Sequence, residues 1–160
     1  MYYSKFDTPF CEIILAGDED GLTNLHLNTG KGKRQFEISP EWIQKDVFFQ
    51  EQKSQILEYC NRKRKNFSIK LNPRGTDFQK KVWQTLSGIP YGELKTYKDI
   101  AIDIRNSNAA RAVGMANSKN PLPIIVPCHR VIGANGKLTG FAHGLDIKEK
   151  LIAFEQAIST

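Results

Sequence analysis

The hydrophobic pattern of this chain changes its period at Asn72-Pro73-Arg74-Gly75. Before that point the apolar residues sit in short strand-like runs. After it they recur at helical spacing. Two periods in one chain call for two architectures, and proline with glycine at the junction punctuates the backbone. The expected organisation is therefore residues 1–72 as one unit and 73–160 as a second. A length of 160 residues suffices for two small domains sharing an interface.

In the first unit, "CEIILAG", "DEDG" and "LTNLHL" read as strand, turn and strand, with Gly21 where a hairpin needs permissive backbone. "NTGKGKRQ" reads as a loop. Ser39-Pro40 looks like an N-cap followed by proline at the first helical position, with an irregular helix running on to about Asn61. Phe67, Ile69 and Leu71 alternate as in a strand. The expectation is a small sheet with one or two helices.

In the second unit, Thr76 with Gln79 fits a capping box, and Phe78, Val82 and Leu86 form one stripe. Thr96 with Asp99 is another capping box. It opens a short helix with Ile100, Ala101 and Ile104 inward. "RNSN" breaks that helix. "AARAVGMAN" then places Ala109, Ala112, Val113 and Ala116 on one face. Two short helices joined by a tight polar turn read as a helix-turn-helix. The small inward face lets the second helix lie close to its support. Arg111 lies off that face and should point outward. An outward cation there suits DNA contact, although on this clue alone an ordinary surface arginine is the favoured reading. "IIV" reads as a short buried strand, "GANGKLTGFAHG" as a loop, and Ile147, Leu151, Phe154 and Ile158 as the inward face of a last helix.

Charge is uneven. Residues 1–72 hold 11 Lys/Arg against 10 Asp/Glu, and residues 73–160 hold 12 against 7, so five of the six net positive charges lie in the second unit. A basic half favours a polyanionic partner, nucleic acid first. No apolar run approaches the roughly 18 residues of a membrane span. "MYYSKFDTPF" lacks the charged start and apolar stretch of a secretory signal. No membrane association and a cytoplasmic location are expected, nuclear if the source is eukaryotic.

Three cysteines, Cys11, Cys60 and Cys128, are scattered and odd in number, which argues against a disulfide framework. Cys11 and His26 are too few to make a zinc site, so no metal and no cofactor are expected. Cys128 precedes His129 in "IIVPCHRVIG". An imidazole can take a thiol's proton and make the nucleophilic thiolate. Neighbouring side chains on a strand face opposite ways, so a productive pair needs a turn or a water relay. A carboxylate holding the imidazole would complete the arrangement, and Glu155 is the candidate. A buried structural thiol remains the other reading of Cys128.

The segments "PCHRVIG", "GTDFQKKVWQTLSGIPYGELKTY", "AARAVGMANSKNPLPIIVPCHRVIG" and "LDIKEKLIAFE" resemble, in order, consecutive blocks of the O6-alkylguanine-DNA alkyltransferases. "FDTPF" and "GLTNLHL" are more loosely similar to that family's opening. The resemblance implies an α/β (α+β) two-domain fold. A ribonuclease-H-like sheet-and-helix domain precedes a helical, winged-helix-like domain with the helix-turn-helix. It implies repair of double-stranded DNA by a monomer that binds the minor groove and flips an alkylated guanine out of the stack. The alkyl group then moves from guanine oxygen 6, and possibly thymine oxygen 4, to Cys128, once per molecule.

By the same match, His129 acts as base through a water, Glu155 holds it, and Asn120 braces the active-site turn. Arg111 fills the gap left by the flipped base. Tyr97 crowds the phosphate and can donate a proton to the leaving guanine. Thr96 and Ala109 belong to the DNA-facing set. Pro123, Phe141, Ala142 and His143 line the substrate pocket. Phe141 stands where a tyrosine is common, and His143 where a glycine is usual, which predicts reduced tolerance of bulky alkyl groups. The zinc-ligand positions of some eukaryotic relatives hold residues such as Asp18 and Thr23. A non-catalytic alkyltransferase-like DNA-damage-binding protein is the alternative, but such proteins replace the cysteine. A helix-turn-helix regulator accounts for Arg111 but not for Cys128, His129 and Glu155 together.

Overall fold

A computed structural model describes residues 1–30, 36–138 and 141–157. Thus Lys31–Gln35 of the expected "NTGKGKRQ" loop, and Ile158 of the last helix, lie outside the described residues.

The first unit is built on an antiparallel hairpin, β2 (Glu12–Asp18) and β3 (Gly21–Asn28). Gly21 closes it at φ +135°, and a Cβ there would lie 3.0 Å from the Leu71 carbonyl carbon. Glycine is thus required both for the turn and for the close pass of residues 70–72. Strand β1 (Tyr2–Asp7) pairs antiparallel with β2, and the two-residue β4 (Ile43–Gln44) pairs parallel with β1, giving the order β3-β2-β1-β4. β1 had no clear sequence signature, because its buried face carries Ser4 beside Phe6 and so blurs the alternation.

Three expectations need correction here. Ser39-Pro40 does not start a helix. The Ser39 hydroxyl accepts the Glu41 N–H in a turn, and helix α1 runs from Gln50 to Cys60 after a 3-10 turn at Asp46–Phe49. The intervening residues are taken up by β4, whose pairing to β1 outcompetes local helix propensity. "FSIKL" makes no strand; it touches β3 only through an isolated bridge between Leu22 and Leu71. Its alternating burial is real, with Phe67, Ile69 and Leu71 half-buried and Ser68 and Lys70 exposed. "IIV" is not a strand either. Ile124 has φ +74°, and the segment turns. Ile124 and Val126 are buried and Ile125 half-buried, but among the described residues no strand pairs with this run.

The second unit starts at α2 (Asp77–Leu86), capped by the Thr76/Gln79 box. The helix-turn-helix is α3 (Tyr97–Asp103) and α4 (Ala110–Ser118), and the Thr96/Asp99 box caps α3. The turn between them holds Arg105 in the left-handed region at φ 62°. Ala109, Val113 and Ala116 are buried, whereas Ala112 is exposed and does not belong to the inward face. Starting at Ala110, the helix turns Ala112 toward solvent together with Arg111.

Two-stranded parallel pairing joins β5 (Lys95–Thr96) to β6 (Val131–Ile132). It fixes the entrance of the helix-turn-helix beside the end of the "PCHR" turn. Helix α5 (Leu145–Ala157) closes the unit. Its inward face is Ile147, Lys148, Leu151 and Glu155, while Phe154 is half-buried. The expected apolar stripe is therefore corrected at its far end, where a carboxylate points inward.

One continuous apolar core unites both units, from Leu15 and Tyr59 to Val113 and Leu151. Backbone bonds cross between them, as from Leu25 N–H to the Pro121 carbonyl at 2.8 Å.

Candidate active site

The turn that carries the thiol is held from within. Asn120 Nδ2 donates to the Val126 carbonyl at 2.8 Å, and its Oδ1 accepts the Leu122 N–H at 3.0 Å. This clamp holds Ile124 in a conformation that costs a β-branched residue about 1–3 kcal/mol. Pro127 then leads into a 3-10 turn, Cys128–Arg130. The turn removes the strand alternation that would set Cys128 and His129 on opposite faces. Asn117 Nδ2 donates to the Cys128 carbonyl at 3.3 Å. Cys128 itself is 3 % exposed.

Glu155 is the hub of the site. Its Oε2 lies 2.8 Å from His129 Nε2. Arg130 donates through Nε to Oε1 at 2.8 Å and through Nη2 to Oε2 at 3.0 Å, a two-pronged fork. The third arm of Arg130, Nη1, donates to the Ile89 carbonyl. The Tyr59 hydroxyl donates to Oε2 at 2.6 Å. Burial by itself would raise the Glu155 pKa. Hydrogen bonds from His129, Arg130 and Tyr59 outweigh it and hold the carboxyl well below the usual range. His129 is fully buried, and that burial keeps its pKa below the ordinary value despite Glu155. At neutral pH the site therefore holds a carboxylate, a guanidinium and a neutral imidazole. Nε2 of that imidazole faces Glu155, and Nδ1 is buried with no hydrogen-bond partner among the described residues.

Lys148 adds a second buried cation. Burial lowers its pKa to about 8, and the negative form of Cys128 pulls the other way. Its ammonium lies 5.9 Å from the ring centres of both Tyr97 and Phe141. The structure thus brings Lys148 near Cys128, Tyr97 and Phe141, and joins His129 and Arg130 to Glu155.

The remaining sequence-predicted residues fall as follows. Tyr97 opens α3, half-buried, and a Cβ on Gly114 of α4 would lie 3.8 Å from its ring. Thr96 is half-buried, and its hydroxyl accepts the Asp99 N–H in the helix cap. Ala109 is buried at the N-cap of α4, and Arg111 is exposed in its first turn. Pro123 is buried and Ala142 half-buried. His143 is not open to solvent. It is 4 % exposed, its ring 5.5 Å from His26 and 5.6 Å from Phe141. Its carbonyl accepts from Thr29 Oγ1 at 2.9 Å. Behind it opens a cavity of about 300 Å³ between Phe10, Cys11, Asn28 and Lys150, which Cys128 does not line. Among the described residues no cluster of three His, Cys, Asp or Glu side chains could hold a metal ion.

Sequence reasoning missed Tyr59, Arg130 and Lys148. Arg130 sits inside the quoted motif, so its position was visible but its partner was not. Lys148 reads as a surface charge in a polar helix stretch. Tyr59 lies 96 residues from the carboxylate it binds, and no local pattern links them.

A turn-borne thiol, a buried imidazole and a fixed carboxylate thus lie in one unit with a helix-turn-helix. Two family descriptions match: "6-O-methylguanine DNA methyltransferase, ribonuclease-like domain" over residues 1–73, and its "DNA binding domain" over residues 77–157. The chain belongs to the 6-O-methylguanine DNA methyltransferase family. It is 54 % identical over 155 residues to the methylated-DNA–protein-cysteine methyltransferase of Methanosarcina acetivorans, covering 97 % of this chain and 98 % of that one. The constitutive methylated-DNA–protein-cysteine methyltransferase of Bacillus subtilis is 45 % identical, with 97 % and 95 % covered. The crystal structure of Mycobacterium tuberculosis OGT in complex with DNA superposes with a TM-score of 0.89 at 41 % identity, covering 98 % and 94 %. The α/β two-domain fold agrees with that structure. No described helix is long and apolar enough to cross a membrane.

Proposed function

We propose that this chain repairs DNA by moving a methyl or larger alkyl group from guanine oxygen 6 to Cys128. Its activity is repair by alkyl transfer, and DNA is its partner. The damaged strand is read from the minor groove, with α4 as the inserted helix. Exposed Arg111 takes the place of the extruded base, beside Tyr97, Thr96 and Ala109 at the helix ends. The basic second unit supplies the attraction to phosphate.

The observation that carries the reading is His129, neutral, locked through Nε2 on Glu155, with Nδ1 left over beside the thiol-bearing turn. Nδ1 takes the Cys128 proton through a water, and the Lys148 ammonium favours the resulting thiolate. Sγ attacks the alkyl carbon, the carbon–oxygen bond breaks, and its electron pair stays with the base. The Tyr97 hydroxyl can supply the proton that spares guanine from leaving as an anion. A thioether has no activated bond for water to cleave, so each molecule reacts once. Pro123, Phe141 and Ala142 frame the base, Ala142 through its backbone N–H. His143 acts on the pocket from behind, as support for Phe141.

The test is incubation with a duplex carrying O6-methylguanine, followed by peptide mass spectrometry. One methyl on the Cys128 peptide, absent in Cys128→Ala, is the expected result. Tight binding without transfer would refute the reading and leave a damage-binding protein.

A further inference from the structure

We infer that Tyr59, in helix α1 of the first unit, is a positioning residue for alkyl transfer, because its hydroxyl pins the carboxylate oxygen of Glu155 that holds His129. This inference rests on the roles of Cys128, His129 and Glu155 given above. The bond from the Tyr59 hydroxyl to Oε2 is 2.6 Å, and the same oxygen faces His129 Nε2 at 2.8 Å. Short O–H···O⁻ bonds of this kind are among the stronger ones in proteins. Arg130 spans both oxygens of Glu155, with Nε on Oε1 and Nη2 on Oε2, so Tyr59 shares Oε2 with His129 and one prong of that fork. Without Tyr59 the carboxylate keeps the Arg130 fork as a hinge but loses the contact that fixes its tilt toward the imidazole.

The hydroxyl is a permanent donor. Burial first, and then the charge of Glu155, push its pKa far above the ordinary tyrosine value. Its ring is fully buried, with Phe154, Phe67 and Tyr91 at centroid distances of 5.6, 5.7 and 6.1 Å. Arg62, just past the end of α1, fastens the same junction. It donates to the Phe154 carbonyl at 2.8 Å and lies 3.9 Å from the Phe154 ring centre. The first unit therefore does more than cover the second: it supplies a donor to the group that orients the base.

The groups bearing on the His129 proton are Glu155 and Lys148 from α5, Arg130 from its own turn and, through Glu155, Tyr59 from α1. Removing the Tyr59 hydroxyl leaves Oε2 with one donor fewer and so more basic. His129 then binds its proton more tightly, and less neutral imidazole is present at a given pH.

Tyr59→Phe keeps the ring and deletes only the hydroxyl. Single-turnover transfer from an O6-methylguanine duplex is measured across pH 5 to 9 for wild type, Cys128→Ala and Tyr59→Phe. The variant should bind the duplex as wild type does and react about tenfold more slowly at neutral pH, the scale of one charge-assisted hydrogen bond. The acid limb of its pH–rate profile should move to higher pH. An unchanged rate and profile would overturn the inference. So would a slower rate with an unmoved acid limb, which assigns Tyr59 to packing alone. A second measurement needs no variant: the Tyr59 hydroxyl proton of the wild-type protein should give a downfield, exchange-protected NMR resonance, and its absence would also overturn the inference. A wild type that transfers no methyl would defeat the functional reading itself, independently of Tyr59.

Discussion

Glu155→Gln keeps the shape of the hub and removes its charge. The carboxylate is 2 % exposed and accepts from Arg130 Nε and Nη2, Tyr59 Oη and His129 Nε2. An amide offers one oxygen and two N–H donors, so at least one existing donor must face another donor. The Arg130 guanidinium, 7 % exposed at its side chain, loses the carboxylate it is paired with. Breaking a buried pair from one side costs about 3–5 kcal/mol, out of a typical total of about 5–15 kcal/mol. In urea, with a slope of about 2 kcal/mol per molar, the midpoint should fall by about 2 M. The pH dependence has a definite sign. The folded-state pKa of Glu155 is depressed, so the wild-type advantage is complete above the unfolded value of about 4.3 and fades as pH falls through the folded one. The stability gap between wild type and variant should be flat from pH 6 to 8 and narrow below about pH 4.3. Arg130→Met in the Glu155→Gln background should recover part of the loss, because it removes the stranded cation. Urea unfolding at a series of pH values tests all three points. A loss under about 1 kcal/mol, or a gap that stays constant down to pH 3, would refute the hub assignment.

Arg111→Ala should slow repair of duplex DNA far more than repair of the free O6-methylguanine base, since the exposed side chain acts only where a base has left a gap; parallel rate measurements decide, and equal slowing contradicts the role. Asn120→Ala strands the buried Val126 carbonyl and Leu122 N–H, which should cost about 2–4 kcal/mol in urea unfolding. His143→Gly removes the ring that backs Phe141, so benzylguanine should gain on methylguanine as a substrate; unchanged relative rates would remove His143 from the pocket.

Much of the fold was legible because it is local. Capping boxes at Thr76 and Thr96 need only neighbours three residues away, and both formed as expected. The β2–β3 hairpin followed from two apolar runs on either side of the acidic turn that ends at Gly21. Where sequence reading failed, a distant partner decided. Residues after Ser39 became a turn and strand β4 because β1 was there to pair with them. "IIV" had strand-like residues, but among the described residues no strand pairs with it, and Asn120 closed it into a turn instead. The Phe154 position on α5 looked apolar and inward by spacing, yet the inward place belongs to Glu155, because Arg130, His129 and Tyr59 compensate its charge there.

The thiol, its neighbouring histidine and the outward arginine are properties of the sequence by itself, since adjacency and helical period fix them. Which nitrogen of His129 faces the carboxylate, that Lys148 is buried near Cys128, and that Tyr59 reaches Glu155 were settled only when two units closed over one core. A charge can be placed in an apolar interior only where partners meet it. Those partners come from residues 59, 129, 130 and 155, which no window along the chain contains.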